Sequence, residues 1–136
     1  MATRYLLDTN ICIYIRQKRP PGVLARFEQM KVGDAALSVV TYGELVYGAA
    51  KSSQRELALG RLNDLLSFLP VLALPESAAQ EYGQIRADLE RKGQIIGGND
   101  LWIAAHARAA SLTLVTNNAR EFTRVPGLNV ENWASE

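Results

Sequence analysis

Short apolar runs recur between longer helical patterns along the whole chain, and this alternation limits the fold more than any other feature. Tyr5-Leu6-Leu7, Ala35 to Val40, Val71 to Leu74 and Leu112 to Val115 read as buried strands, and Leu128 to Val130 as an edge strand. Between them, Ile11, Ile13, Tyr14 and Ile15 mark a short helix, and Pro20-Pro21 opens another that carries Val23, Leu24 and Phe27. After a turn at Gly33-Asp34 and the second strand, Tyr42, Leu45, Val46 and Ala49 stand at helical spacing. Arg55 to Leu69 is an amphipathic helix with the stripe Ala58, Leu62, Leu65, Leu66 and Leu69, ended by Pro70. Pro75 opens a helix with Ala78, Tyr82, Ile85 and Leu89 inward, and Lys92-Gly93 closes it. Gly97-Gly98 reads as a hinge before Asp100 to Ala110, a helix so apolar all round that it must be central. Asn117 to Phe122 is a turn or short helix. Strands alternating with helices of this length predict an α/β fold, a short parallel sheet with helices on both faces. No linker interrupts residues 1–136, so one domain is expected.

Composition removes several classes of function. One cysteine, Cys12, and one histidine, His106, cannot make a disulfide framework or a four-ligand structural zinc site within one chain. Cys12 lies in the apolar run Ile11-Cys12-Ile13 and reads as a small buried hydrophobe. No apolar stretch approaches the ~18 residues of a membrane span. The N-terminus reaches an acid too early for a signal peptide, so a cytoplasmic protein is expected. Fifteen basic and 14 acidic residues leave a net charge of +1, too little for a protein that simply coats nucleic acid. Any RNA it handles must meet basic residues segregated from the acids, and the acids need a separate purpose.

Several acids occupy one repeated place. Asp8 ends the first strand, Glu44 falls in the first turn of the helix after the second, Asp100 opens the apolar helix, and Asn118 and Glu121 follow the last long strand. In an open parallel sheet, strand carboxyl ends and the helix starts that follow them share one edge, where ligands bind. Each acid also has a structural reading: Asp8 as a cap, Thr41-x-x-Glu44 as a capping box, Asn99-Asp100 as a cap followed by a dipole-favoured acid. Here, however, Thr9, Thr41 and Asn99 stand ready to take the capping work. Several carboxylates within a few ångströms cannot all stay ionised without a counter-charge. A hard divalent cation, Mg²⁺ or Mn²⁺, supplies it and prefers oxygen ligands. Water activated by such an ion points to phosphodiester hydrolysis.

Four runs then carry a resemblance: Leu6-Leu7-Asp8-Thr9-Asn10; Ser38 to Leu45; Ile96 to Ala107, with Gly97-Gly98-Asn99-Asp100 inside it; and Leu114-Val115-Thr116-Asn117-Asn118-Ala119-Arg120-Glu121-Phe122. In these runs and their order the chain resembles the PIN-domain ribonucleases, specifically VapC-type toxins of bacterial toxin–antitoxin pairs. The resemblance implies a three-layer α/β/α sandwich around a short parallel sheet, with a protruding helical pair. It implies that Asp8, Glu44 and Asp100 are catalytic and bind Mg²⁺ or Mn²⁺, with Asn118 as a fourth catalytic residue. Many PIN domains carry an aspartate at that fourth position, in a Thr-x-Asp pattern, where this chain reads Thr116-Asn117-Asn118. An amide oxygen can ligate or hold water but adds no charge. Glu121 is the other candidate for the missing carboxylate. Thr9, Thr116 and Arg120 are expected to contact substrate. The Val-Thr-Asn-Asn-x-Arg-Glu-Phe variant and the terminal Asn132-Trp133 look like a subgroup of which some members cut initiator tRNA.

The resemblance further implies a cognate VapB-like antitoxin, a homodimer, and a toxin–antitoxin hetero-oligomer built on the helices between Thr41 and Leu69. An arginine from the antitoxin could pair with the acids and compete with metal. RNA contacts would come from Arg16, Lys18, Arg19, Lys51, Arg55, Arg120 and Arg124. Trp102 and His106 read as core residues, and Tyr47 faces either cleft or core. The rival from another class is a PIN-like module that binds RNA or protein without cutting, supported by the amide at Asn118. A phosphotransfer receiver would want paired acids after the first strand and a lysine after the last. An aspartyl phosphatase would want Asp-x-Asp where this chain reads Asp8-Thr9-Asn10.

Overall fold

The computed structural model describes residues 3–134. Five strands, β1 (Tyr5–Leu7), β2 (Ala35–Ser38), β3 (Val71–Leu72), β4 (Thr113–Val115) and β5 (Val130–Glu131), form one parallel sheet in the order β3-β2-β1-β4-β5. Seven helices connect them: α1 (Thr9–Gln17), α2 (Pro21–Glu28), α3 (Val39–Ala50), α4 (Arg55–Leu66), α5 (Ala78–Arg91), α6 (Gly98–Ala109) and α7 (Ala119–Phe122). The chain builds outward from β1 through β2 to β3, then returns to the other side of β1 for β4 and β5. The direction of winding therefore reverses between β1 and β4, and loops there part to leave a crevice.

Strand periodicity explains the two cores. Successive side chains on a strand point to opposite faces. Leu6 and Leu114 point to the face covered by α5 and α6, among Ile85, Leu89, Leu101 and Ile103. Leu7, Leu37 and Val115 point to the other face, among Ile11, Cys12, Ile15, Leu62 and Leu65. With both faces covered, the central strands are largely apolar, as a parallel sheet favours. Cys12 is fully buried in this second core, as its sequence neighbours imply. The helices α5 and α6 pack against each other, as do α3 and α4. Val46, Tyr47, Leu57 and Leu59 on α3 and α4 stay exposed.

Several element bounds differ from the sequence reading. Val39 and Val40 are β-branched and suit a strand, yet they open α3, because the Ser38 side chain accepts a hydrogen bond from the Val40 N–H (3.1 Å) and caps the helix. β3 is two residues long instead of four, and α5 begins at Ala78, three residues beyond Pro75. α4 ends at Leu66, and α6 begins at Gly98, so the expected hinge glycines form the helix start. The edge strand falls at Val130–Glu131.

Trp133 was not expected in the core. It is fully buried beside Tyr5 with ring centroids 5.4 Å apart, and its indole N–H donates to Glu131 Oε1 at 3.0 Å. Arg26 from α2 reaches the same carboxylate at 3.0 Å and lies over the indole ring. The C-terminal segment thus closes one end of the second core. Trp133→Ala should cost about 3–5 kcal/mol of stability, read as a lower urea midpoint at unchanged m-value; a loss under ~1 kcal/mol would mean that the segment is not part of the core.

Candidate active site

Asp8 is the first residue beyond β1 and sits on the crevice edge with little exposure. Its own N–H donates to the Val115 carbonyl at 3.0 Å, extending the β1–β4 ladder by one bond. Its Oδ1 accepts the Ile11 N–H at 3.0 Å, and the Thr116 hydroxyl donates to the same carboxylate. Burial raises its pKa above the ordinary carboxylate value; the Thr116, Ile11 and Asn10 hydrogen bonds oppose that rise, and the charge of Glu44 adds to it. Glu44 is half-buried on α3, and the Thr9 hydroxyl donates to its Oε1 at 2.7 Å. Asp100 is the third residue of α6, where the helix dipole favours an anion. Its pKa nevertheless rises to about 6, from burial first and then from the charges of Glu44, Asp8 and Glu121. Four carboxylates from four different segments therefore share one field.

Where the capping falls corrects the sequence reading. Asp8 itself caps α1, Ser38 caps α3, and Gly97 precedes α6 with no side-chain cap. None of Thr9, Thr41 and Asn99 takes the work expected of it. Glu44 lies in the second turn of α3, too far along to close a capping box, and bonds Thr9 on a neighbouring helix instead. Asp8 thus combines both readings, since one oxygen caps the helix while its charge remains in the crevice. Thr9 and Thr116, expected on substrate, direct their hydroxyls at Glu44 and Asp8.

The fourth position divides. Asn118 precedes α7, half-buried, with its peptide N–H on Thr116 Oγ1 at 2.9 Å and no cap bond from its side chain. Glu121, one turn further, is the group whose charge reaches Asp100. Arg120 is exposed on α7. Three other basic candidates are engaged locally: Arg124 on the Ile95 carbonyl (3.3 Å), Arg55 on the Ala50 carbonyl (3.3 Å) and Lys51 over the Tyr47 ring (4.9 Å). Tyr47 is 65% exposed and so does not face the core. Trp102 is half-buried and stacks on Tyr82 at 3.9 Å, and His106 is buried. Sequence reasoning missed a polar rim beside the acids, where Asn117 donates to the Tyr14 hydroxyl (2.7 Å) and accepts from Asn10 (3.4 Å). The run of amides Asn10, Asn117 and Asn118 after two adjacent strands was the available signal.

The donor set is all oxygen and strongly anionic. Among the described residues, no lysine or arginine forms an ion pair with Asp8, Glu44, Asp100 or Glu121. Nor, among the described residues, are three His, Cys, Asp or Glu side chains drawn together closely enough to enclose an ion directly. Such a crevice fits a hard cation that keeps several waters, as Mg²⁺ does, better than a fully dehydrated ion in a tight cage. Burial of Asp100, with the neighbouring charges adding to it, has a pH signature. Asp100 has a folded pKa of about 6 against an ordinary 3.8, so between these values the folded state binds more protons than the unfolded one. Stability of the metal-free protein therefore falls as pH rises from about 4 to about 6. Asp100→Asn should flatten this slope, leaving the part that the raised Asp8 carries, and raise the pH 7 unfolding midpoint; an unchanged slope in the variant would place its origin elsewhere.

Comparison with known proteins gives this geometry its context. The PIN domain family model matches residues 5–128. A protein named Ribonuclease VapC2 from Haemophilus influenzae is 46% identical over 130 residues, covering 96% of this chain and 98% of that protein. A tRNA(fMet)-specific endonuclease VapC from Shigella flexneri is 44% identical over 131 residues, with 96% and 98% covered. Among solved structures, a DNA-bound VapBC from Salmonella typhimurium superposes with a TM-score of 0.90 at 41% identity, covering 96% of this chain and 98% of that one. Four carboxylates at the reversal point of a short parallel sheet, and full-length likeness to these proteins, agree: the chain belongs to the PIN-domain family and, within it, to the VapC proteins.

Proposed function

We propose that this protein is the endoribonuclease toxin of a toxin–antitoxin pair, that it works with Mg²⁺ or Mn²⁺, and that Asp8, Glu44 and Asp100 hold the ion. The observation that carries the reading is the convergence of these three acids, with Glu121, in one half-buried field that lacks a basic partner among the described residues. Bound there, the ion supplies Lewis-acid activation of water and neutralises charge developing on the phosphate. The chain's own residues supply position. Asp8 is fixed by its bonds to Ile11 and Thr116, and Glu44 by its bond to Thr9. Asp100 has fewer restraints and must lose its proton before it can ligate. Thr9 and Thr116 orient carboxylates, so RNA contact falls to Arg120, exposed beside Asn118. Asn118 or Glu121 completes the ion's surroundings. The non-cleaving alternative draws on the amide at Asn118, but Glu121 brings a further carboxylate to the same field.

The substrate reading follows the relatives. A protein 44% identical over nearly the whole chain is named for tRNA(fMet), and initiator tRNA is the proposed substrate here. The partner reading follows the VapBC neighbours: a VapB-like antitoxin. Exposed Val46, Tyr47, Leu57 and Leu59 on α3 and α4 give an apolar surface for a homodimer or hetero-oligomer. No helix among the described residues is long and apolar enough to cross a membrane.

Purified protein incubated with total tRNA tests activity and substrate together. Wild type should cleave one tRNA species at a discrete position with Mg²⁺ or Mn²⁺ and not with chelator, and Asp8→Asn should fall at least ~100-fold. Equal cleavage by both proteins, or cleavage in chelator, would remove the acids from the mechanism. Cutting spread over many tRNAs would remove the substrate.

A further inference from the structure

The buried His106 is not used by this chemistry, and its contacts connect two of the helices that carry acids. Its Nδ1 lies 2.9 Å from Ser38 Oγ, with both residues almost wholly inaccessible. Ser38 Oγ already accepts the Val40 N–H at the start of α3. The remaining proton and lone pair of that hydroxyl satisfy His106 in either ring tautomer. Burial lowers the pKa of His106, so the ring is neutral and puts no competing cation behind the site.

The two helices run in opposite directions, and the spacing along them matches. Glu44 lies six residues beyond Ser38 on α3, and Asp100 lies six residues before His106 on α6. At 1.5 Å per residue each acid stands about 9 Å along its helix from the buried pair. α3 and α6 contact each other, and the charge of Glu44 reaches Asp100 at the far end. The lower rung is a hydrogen bond and the upper rung is a repulsion. Midway on α3, the Thr41 hydroxyl is buried without a hydrogen-bond partner among the described residues, so it adds no polar tie between the two helices.

We propose that His106 and Ser38 are positioning residues, a clamp that sets the spacing of α3 and α6 and thereby holds Glu44 and Asp100 close enough to share one cation. Without the clamp, repulsion at the upper rung would spread the helices, and the ion would lose one of its three carboxylates. This rests on the reading of Asp8, Glu44 and Asp100 as the cation site. A packing role alone would lower stability and leave cation affinity intact, which separates the two.

The test is Mn²⁺ titration of the folded protein by calorimetry, with the thermal midpoint and the RNA-cleavage constants measured alongside. His106→Leu should weaken Mn²⁺ affinity about 10-fold and lower kcat at subsaturating Mn²⁺ with KM for RNA unchanged. His106→Asn, which keeps a polar nitrogen near the Nδ1 position, should recover most of the affinity. Ser38→Ala should weaken Mn²⁺ binding to a similar degree, and the Ser38→Ala/His106→Leu double variant little further. Should His106→Leu fail to fold, Ser38→Ala and His106→Asn decide the matter by the same readout. Wild-type Mn²⁺ affinity in a folded His106→Leu or Ser38→Ala protein overturns the clamp and leaves the cation site standing. Absence of Mn²⁺ binding in the wild type, unchanged in Asp8→Asn, overturns the site reading and the clamp with it.

Discussion

Like charges held together against their repulsion are the constraint to which the rest of this molecule answers. Asp8, Glu44, Asp100 and Glu121 come from segments as far apart as 113 residues, yet the charges of Glu44, Asp8 and Glu121 add to burial in raising the proton affinity of Asp100, and that of Glu44 adds to burial at Asp8. In an unfolded chain they would separate and each would be hydrated. The fold must supply the free energy that keeps them near one another and partly out of water. It does so with two apolar cores on either side of a five-stranded sheet, in which each fully buried aliphatic side chain contributes about 1.5–3 kcal/mol.

The supporting structure is arranged so that the repulsion cannot relax. Asp8, at the end of β1, is tied to the end of β4 twice, through the Val115 carbonyl and through Thr116. Glu44 is tied to α1 through Thr9, and α3 to α6 through Ser38 and His106. Each tie joins a different pair of elements, and each uses a neutral donor. A lysine or arginine would hold the acids just as close but would cancel the charge that a cation needs. The same logic explains how an inhibitory arginine from a partner would work, by supplying the missing positive charge from outside.

Much of this was legible in the sequence, for a physical reason. Tyr5-Leu6-Leu7 and Leu112 to Val115 are too short and too apolar to be anything but covered strands, and a carboxylate or amide directly after a buried strand must emerge at the sheet edge. Bounds were less legible where two local preferences competed. Val39 and Val40 favour a strand by their branching, and the Ser38 hydroxyl outweighs them by capping a helix. The roles of the threonines were not legible, because Thr9 bonds a residue 35 positions away. Asn118 lies on the sequence motif, while the charge of Glu121 reaches Asp100, and spacing alone could not choose between them. The burial of Trp133 depends on Tyr5 and Arg26, contacts that local pattern does not encode.

On the proposed reading, Asp100 and its neighbours share one divalent cation, and the cation relieves their repulsion. Counting the protons released when Mn²⁺ binds, by calorimetry in buffers of different ionisation enthalpy, tests this most directly. With Asp100 titrating at about 6, binding at pH 6 should release roughly half a proton per ion and binding at pH 7.5 almost none. The pH 6 release should vanish in Asp100→Asn. No proton release at pH 6, or the same release in Asp100→Asn, would mean that Asp100 does not share the cation.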